Sequence, residues 1–285
     1  MRLERFRDAK QDELARLRAA AEKGEFPEPW PAARPDYSTA LRRRAPGSPL
    51  AVVAEYKRAS PSAGVICEDL EVEDVVRQYA AAGASCLSIL TEEAHFAGHI
   101  SFLSRAAGAL HPVAPLPLLR KDFIFDPLQI RATAATPASA LLLIVRLTPD
   151  ARLLRRLRED AASLGLACVV EVFDAADLRI ARESGAAIIQ VNARDLRDFS
   201  VDRGACLALA RACPPERGEV WVAASGICAY SHLREAGDAG FDAVLVGTAL
   251  MRDGCPGDAL GRLLRNRNPE EVGNAGQGLR LDATG

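Results

Sequence analysis

From Ala51 onward the chain alternates short apolar runs with amphipathic segments. The runs fall at about residues 51–57, 85–90, 117–122, 140–145, 167–172, 187–192, 220–225 and 243–247. Each has the length and the Val, Ile, Leu and Ala content of a buried strand. The segments between them carry apolar residues at helical spacing among charges. Residues 71–82 read as a helix ending at Gly83, and 149–164 as one with Thr148 as its cap signal and Gly165 as its stop. Residues 175–184 follow Asp174 and stop at Gly185, and 231–239 end near Gly240. Glycine just past a helix supplies the left-handed residue that turns the chain toward the next strand.

Eight such runs alternating with helices, at intervals of about 20–35 residues, predict an α/β fold of the (β/α)8 barrel type over residues 51–265. An open doubly wound sheet is disfavoured because no G-x-G-x-x-G turn follows the first strand. Ahead of the barrel, residues 3–23 place Leu3, Phe6, Leu14 and Leu17 at helical spacing, so one helix is expected there. The proline-rich stretch 27–35 reads as a connector, and residues 38–44 as a short helix with Ser38 as N-cap. Residues 1–50 are too few for a core of their own and are expected to pack on the barrel as a helical extension. Residues 266–285, glycine-rich and polar without periodicity, are expected to be a disordered tail.

Composition narrows the function classes. The 285 residues are 49 % hydrophobic and 26 % charged with net charge −2, an ordinary soluble enzyme-like balance. Near-neutral charge argues against nucleic acid or an anionic membrane as partner, and Arg42, Arg43 and Arg44 read as a solvated helix end. No segment reaches the roughly 18 apolar residues of a membrane span, and the charged first 25 residues hold no signal-peptide core, so a cytoplasmic location is expected. The seven cysteines form no C-x-x-C pair; most are expected to be buried thiols, as at Cys86 and Cys168. His95, His99, His111 and His232 show no metal-ligand spacing, so no metal is expected.

Candidate chemistry follows from the barrel. Functional groups of such a fold gather where strands meet the loops that follow them. Those positions hold Glu55 and Lys57, Lys121, Glu171, Asn192 with Arg194, and Ser225. Along a strand, alternate side chains share a face, so Glu55 and Lys57 point together while Tyr56 points away. Taking a carboxylate and an ammonium out of water is costly unless they are paired or used, and unrelated structural salt bridges need not converge on one mouth. The loops after the seventh and eighth strands, Ser225-Gly226-Ile227 and Gly247-Thr248-Ala249-Leu250, have the glycine and hydroxyl content of an anion-binding turn, and Ser60 in the first loop is a further candidate.

These residues carry a family resemblance. The stretches AVVAEYKRASPSAG (51–64), LSILTEEAHFAG (87–98), RKDFIFDPLQI (120–130), LLLIVRLT (141–148), VVEVFD (169–174), QVNARDL (190–196), ASGI (224–227) and VLVGTALM (244–251) occur in the order seen in indole-3-glycerol phosphate synthases. The chain resembles that family over about residues 3–265. The resemblance implies decarboxylating ring closure of 1-(2-carboxyphenylamino)-1-deoxyribulose 5-phosphate, a small sugar phosphate, without a cofactor, by a monomer or weak homodimer. It implies Lys121 as the acid at the carbonyl, and Lys57 as a second acid that also holds the substrate carboxylate. Glu171 would be the base, with Glu55 orienting and charging the lysines. Asn192 would hold substrate polar groups, Arg194 steady the acidic cluster and Ser225 bind substrate. Gly226, Gly247 and Thr248 would receive the phosphate, and Phe123, Leu142, Ile144 and Leu196 surround the aromatic ring.

The sequence departs from the family pattern at four places. Ala224 stands where a glutamate is usual, Ala94 and Arg146 replace common lysines, and Phe173 takes an often polar position. Three alternatives stand beside the family reaction: a divergent paralogue acting on a related arylamino-sugar phosphate, a catalytically impaired barrel that binds a phosphate ligand, and another phosphate-binding barrel such as an isomerase or aldolase.

Overall fold

The computed structural model describes residues 4–42, 48–62, 64–67, 69–111 and 115–265. Eight parallel strands close into a barrel: β1 (Ala51–Tyr56), β2 (Cys86–Leu90), β3 (Leu118–Ile124), β4 (Ala140–Ile144), β5 (Ala167–Val172), β6 (Ile188–Asn192), β7 (Val220–Ala224) and β8 (Ala243–Val246). Each pairs with its sequence neighbours, and β1 against β8, from Ala51 opposite Ala243 to Ala54 opposite Val246, shuts the cylinder. The tail at 266–285, Arg43 and Arg44 lie outside the described residues. Among the described residues no helix is long and apolar enough to cross a membrane.

Period-two alternation divides the apolar residues into two layers. Val53, Leu119, Leu142, Val169, Ile188, Val222 and Leu245 pack inside the barrel. Val52, Ala54, Leu87, Leu141, Leu143, Val170 and Val244 face the surrounding helices. The same alternation carries Glu55, Lys121, Glu171, Gln190 and Asn192 inward at the carboxyl end, because each continues the inward-facing series of its strand.

The amino-terminal segment closes both ends of the barrel. Helix α1 (Glu4–Asp8) crosses the carboxyl-end mouth with Phe6 fully buried, and α2 (Gln11–Glu22) follows it. The single helix expected over 3–23 is thus two. Lys10 N–H bonds to the Arg7 carbonyl at 3.1 Å, a tighter turn than an α-helix makes, and Lys10 points into the protein to meet Asp122. The connector then runs along the helix Pro127–Ala134, where Trp30 N–H and Arg34 both donate to the Ala134 carbonyl. Helix α3 (Tyr37–Leu41) buries Tyr37 and Leu41 beside β1 and β2.

Two cap expectations are corrected. The N-cap of α3 is Asp36, not Ser38; its carboxylate accepts from Thr39 N–H at 3.0 Å and Thr39 Oγ1 at 2.8 Å. The helix Ala151–Ser163 is capped by Asp150, not Thr148, through Arg152 N–H and Leu153 N–H. In both places a carboxylate with two acceptor oxygens takes the position. The expectation that most thiols are buried also fails. All seven cysteines are free; Cys86 and Cys206 are buried, Cys67, Cys168 and Cys213 half-buried, and Cys228 and Cys255 exposed.

Candidate active site

The carboxyl-end mouth holds a partly open cavity of ≈ 90 Å³. Its polar wall contains two ion pairs. Lys57 Nζ lies 3.0 Å from Glu55 Oε1, and Lys121 Nζ lies 3.7 Å from Glu171 Oε2. The carboxylates are the deeper members, 6 % and 1 % exposed, against 13 % and 19 % for the lysines. Each carboxylate has a second donor: Ser88 Oγ donates to Glu55 Oε2 at 3.2 Å, and Gln190 Nε2 donates to Glu171 Oε2 at 2.5 Å. Buried carboxylates held in this way stay oriented, while each ammonium, with three donors and one carboxylate partner, has donors left for a ligand.

Asn192, the register partner of Ala224, has its Oδ1 fixed by Ser225 Oγ at 2.8 Å and Arg194 N–H at 3.0 Å. That leaves its amide hydrogens available to a ligand. Arg194 Nη1 donates to Ser62 Oγ and to the Phe199 carbonyl, which ties the first loop to the sixth. Burial lowers the Arg194 pKa, opposed by Glu55. The apolar wall is Phe6, Leu90, Phe96, Phe123, Ile144, Leu196, Phe199 and Leu245. Phe6 stacks on Phe123 with centroids 4.1 Å apart and planes at 19°.

The structure brings Glu55, Lys57, Ser60, Lys121, Phe123, Ile144, Glu171, Asn192, Arg194, Leu196 and Ser225 to this one cavity. Leu142 is not among its lining residues. It lies two residues back along β4 from Ile144, in the packed barrel interior. Gly226, Gly247 and Thr248 stand just beyond the ends of β7 and β8. Ser225 and Gly226 both have left-handed backbones, φ 74° and 75°, and a Cβ on Gly226 would fall 2.8 Å from the side chains of Val201 and Arg203.

Gly247 is constrained by the polar wall itself, since a Cβ there would meet the Glu55 carboxylate and approach its Cβ to 3.1 Å. Gly247→Ala is therefore expected to push Glu55 off Lys57 and lower kcat about 10²-fold or more. Steady-state assays beside an unchanged far-UV spectrum check this.

Sequence reading missed several lining or supporting groups. Gln190 was legible in principle, because it shares the inward parity of Asn192 two residues later. Phe6, Phe96 and Phe199 come from outside the barrel strands and leave no local signal. Beneath Lys121 lies an unanticipated buried network. Asp122 contacts Lys10 Nζ at 2.5 Å, Arg120 Nη2 at 2.9 Å and Thr91 Oγ1 at 2.6 Å, and Arg120 Nη2 also reaches Glu13 at 2.9 Å. Burial would raise the Asp122 pKa, but Arg120 and Lys10 outweigh it and hold the carboxyl at about 2. Two of the departures explain each other. Arg146 pairs with Asp174 and Asp177 at 2.9 Å each while its guanidinium lies 4.3 Å from the Phe173 ring centroid.

Fold and site together define a (β/α)8 barrel with a lysine–carboxylate centre at the strand ends. Solved structures agree on the fold alone. A 3-hexulose-6-phosphate synthase superposes with TM-score 0.61 at 13 % identity, covering 77 % of this chain and 100 % of that one. A thiamine phosphate pyrophosphorylase from Pyrococcus furiosus superposes with TM-score 0.57 at 17 % identity, covering 79 % and 94 %. The family model "Indole-3-glycerol phosphate synthase" matches residues 3–260. A curated relative of that name from Chloroherpeton thalassium is 42 % identical over 253 residues, 87 % of this chain and 94 % of that protein. Another, from Acidithiobacillus ferrooxidans, is 46 % identical over 221 residues, 78 % and 81 %. The chain belongs to the indole-3-glycerol phosphate synthase family.

Proposed function

We propose that the protein catalyses the ring closure for which its family is named, converting 1-(2-carboxyphenylamino)-1-deoxyribulose 5-phosphate to indole-3-glycerol phosphate, CO2 and water. The observation that carries this reading is the pair of lysine–glutamate contacts, from β1 and its loop and from β3 and β5, opening on one cavity with an aromatic wall.

The ring carbon bearing the carboxylate attacks the keto carbon, and negative charge develops on the carbonyl oxygen. The Lys121 ammonium, beside Glu171, donates its proton there. Carbon dioxide then leaves from the attacked ring position and restores aromatic bonding. The new hydroxyl departs as water with a proton from Lys57, while Glu171 takes the proton released as the indole double bond forms. Glu55 holds Lys57 in place at 3.0 Å. Asn192 and Ser225 hold substrate hydroxyls, Arg194 steadies the polar wall, Ser60 binds from the first loop, and Gly226, Gly247 and Thr248 receive the phosphate. Phe123, Ile144 and Leu196 flank the aryl ring, with Leu142 supporting them from below.

The cavity is small beside the roughly 300–1,000 Å³ of typical ligand pockets, and Phe6 already occupies a stacking position on Phe123. Substrate entry therefore requires α1 or the loops to yield. Turnover of the carboxyphenylamino substrate, followed by the appearance of indole fluorescence, tests the proposal. A flat trace with purified, folded protein rejects it.

A further inference from the structure

Arg5 stands out among the cations around the mouth. Its Nε and Nη2 are enclosed and meet no hydrogen-bond acceptor among the described residues. Arg5 does not itself line the cavity, and the three cations that do each already meet a partner. Lys57 is on Glu55, Lys121 is on Glu171, and Arg194 holds Ser62 and the Phe199 carbonyl. Arg34 and Arg158 also leave Nε without an acceptor, but other nitrogens of theirs bond to backbone carbonyls. Enclosing a charged donor with no acceptor is costly, since the group forfeits its water without replacement. A site that keeps such a group is one in which a ligand can supply the missing acceptor.

The position says which ligand group. The Arg5 guanidinium lies 4.6 Å from the Phe6 centroid and 5.0 Å from the Phe199 centroid, between two rings that line the cavity. Phe199 holds a left-handed backbone, φ 64°, costly for a bulky residue. It is fixed there by its N–H on the Asp195 carbonyl and its own carbonyl on Arg194. A guanidinium lying beside two aromatic rings, with donors unpaired, can offer two N–H groups at once to a carboxylate.

We infer that Arg5 binds the ring carboxylate of the substrate, so that α1 recognises the arylamine end as the barrel loops recognise the phosphate end. This rests on the proposed function. It also assigns the contact to the ground state. The carboxylate departs as CO2, so the interaction strengthens binding and does not assist the step in which it is lost.

The test uses non-reacting ligands in which the keto group is reduced: 1-(2-carboxyphenylamino)-1-deoxyribitol 5-phosphate, its phenylamino counterpart without the carboxylate, and the carboxylated compound without phosphate. Calorimetric titration of the wild type is expected to favour the first over the second by about 10-fold or more. Arg5→Met keeps the stem and removes the charge. It should weaken binding of both carboxylated ligands about 10-fold, leave the phenylamino ligand unchanged as a control on folding, and raise KM with kcat held within about twofold. Arg5→Lys should recover part of the loss. Equal weakening of all three ligands, weakening that follows the phosphate instead, or no change at all overturns the inference while leaving the family reaction intact. A wild type that binds none of the three rejects the proposed function, and this inference with it.

Discussion

Truncating Lys121 to alanine is expected to lower kcat by about 10³-fold or more, with little change in thermal unfolding. The ammonium is the cation that meets Glu171 on the cavity wall, 3.7 Å from it, and among the described residues no other cation pairs with that carboxylate. Without it, charge developing on the keto oxygen meets no proton donor at that position. Lys57 cannot take over, because it comes from the loop after β1 and is held on Glu55. Stability should hold, since Glu171 keeps Gln190 as its hydrogen-bond donor and the removed side chain borders a cavity instead of filling the core. Single-turnover fluorescence beside a melting curve separates the two effects. Loss of both activity and cooperative unfolding would mean that Lys121 is chiefly structural.

The second large effect is on the fold. Asp122→Ala is expected to destabilise the protein by about 3–5 kcal/mol, the usual cost of leaving a buried charge without its partner. Lys10, Arg120 and Thr91 each lose one acceptor, and Glu13 is left as the carboxylate facing both cations, 2.8 Å from Lys10 and 2.9 Å from Arg120. The Phe123 N–H, which bonds to Asp122 Oδ1 at 2.8 Å, loses its acceptor as well. Lys10 on Asp122 and Glu13 on Arg120 tie the amino-terminal segment to β3, so α1 and Phe6 should loosen over the mouth as the first of these contacts is lost.

The pH dependence has a defined sign. Burial raises the Asp122 pKa, but Arg120 and Lys10 more than offset that, and the folded carboxyl sits at about 2 against 3.8 for the ordinary group. The unfolded chain therefore binds this proton first. The stabilisation is complete above about pH 4 and is lost as pH falls toward 2. Urea midpoints taken from pH 7 downward should show the gap between wild type and variant constant to about pH 4 and narrowing below it. A gap independent of pH across that range would remove the ionic account of this network.

Much of the site could be read from the chain because strand alternation is local. Within β1, β3, β5 and β6, two residues decide a face, so the inward placement of Glu55, Lys121, Glu171 and Asn192 is written in a few neighbouring positions. The same rule places Arg120 and Asp122 on the opposite face from Lys121. It cannot say what they meet, because Lys10 and Glu13 arrive from more than 100 residues away. Cap choice at Asp36 and Asp150 lay between candidates two residues apart and of similar preference, Ser38 and Thr148 being the others, so residue type alone did not select one. Depth along β4 separated Ile144, at the cavity, from Leu142, beneath it. That depends on barrel stagger, which no single strand encodes.

By itself, then, the sequence determined the eightfold alternation, the inward charged set and the glycine turns after β7 and β8, all of them consequences of backbone periodicity and local sterics. Only the tertiary structure decided that Phe6 stacks on Phe123, that Lys10 breaks the first helix to reach Asp122, and that Arg5 lies between Phe6 and Phe199. These contacts join segments far apart in the chain, and their energy exists only once the barrel has closed and excluded water from the mouth.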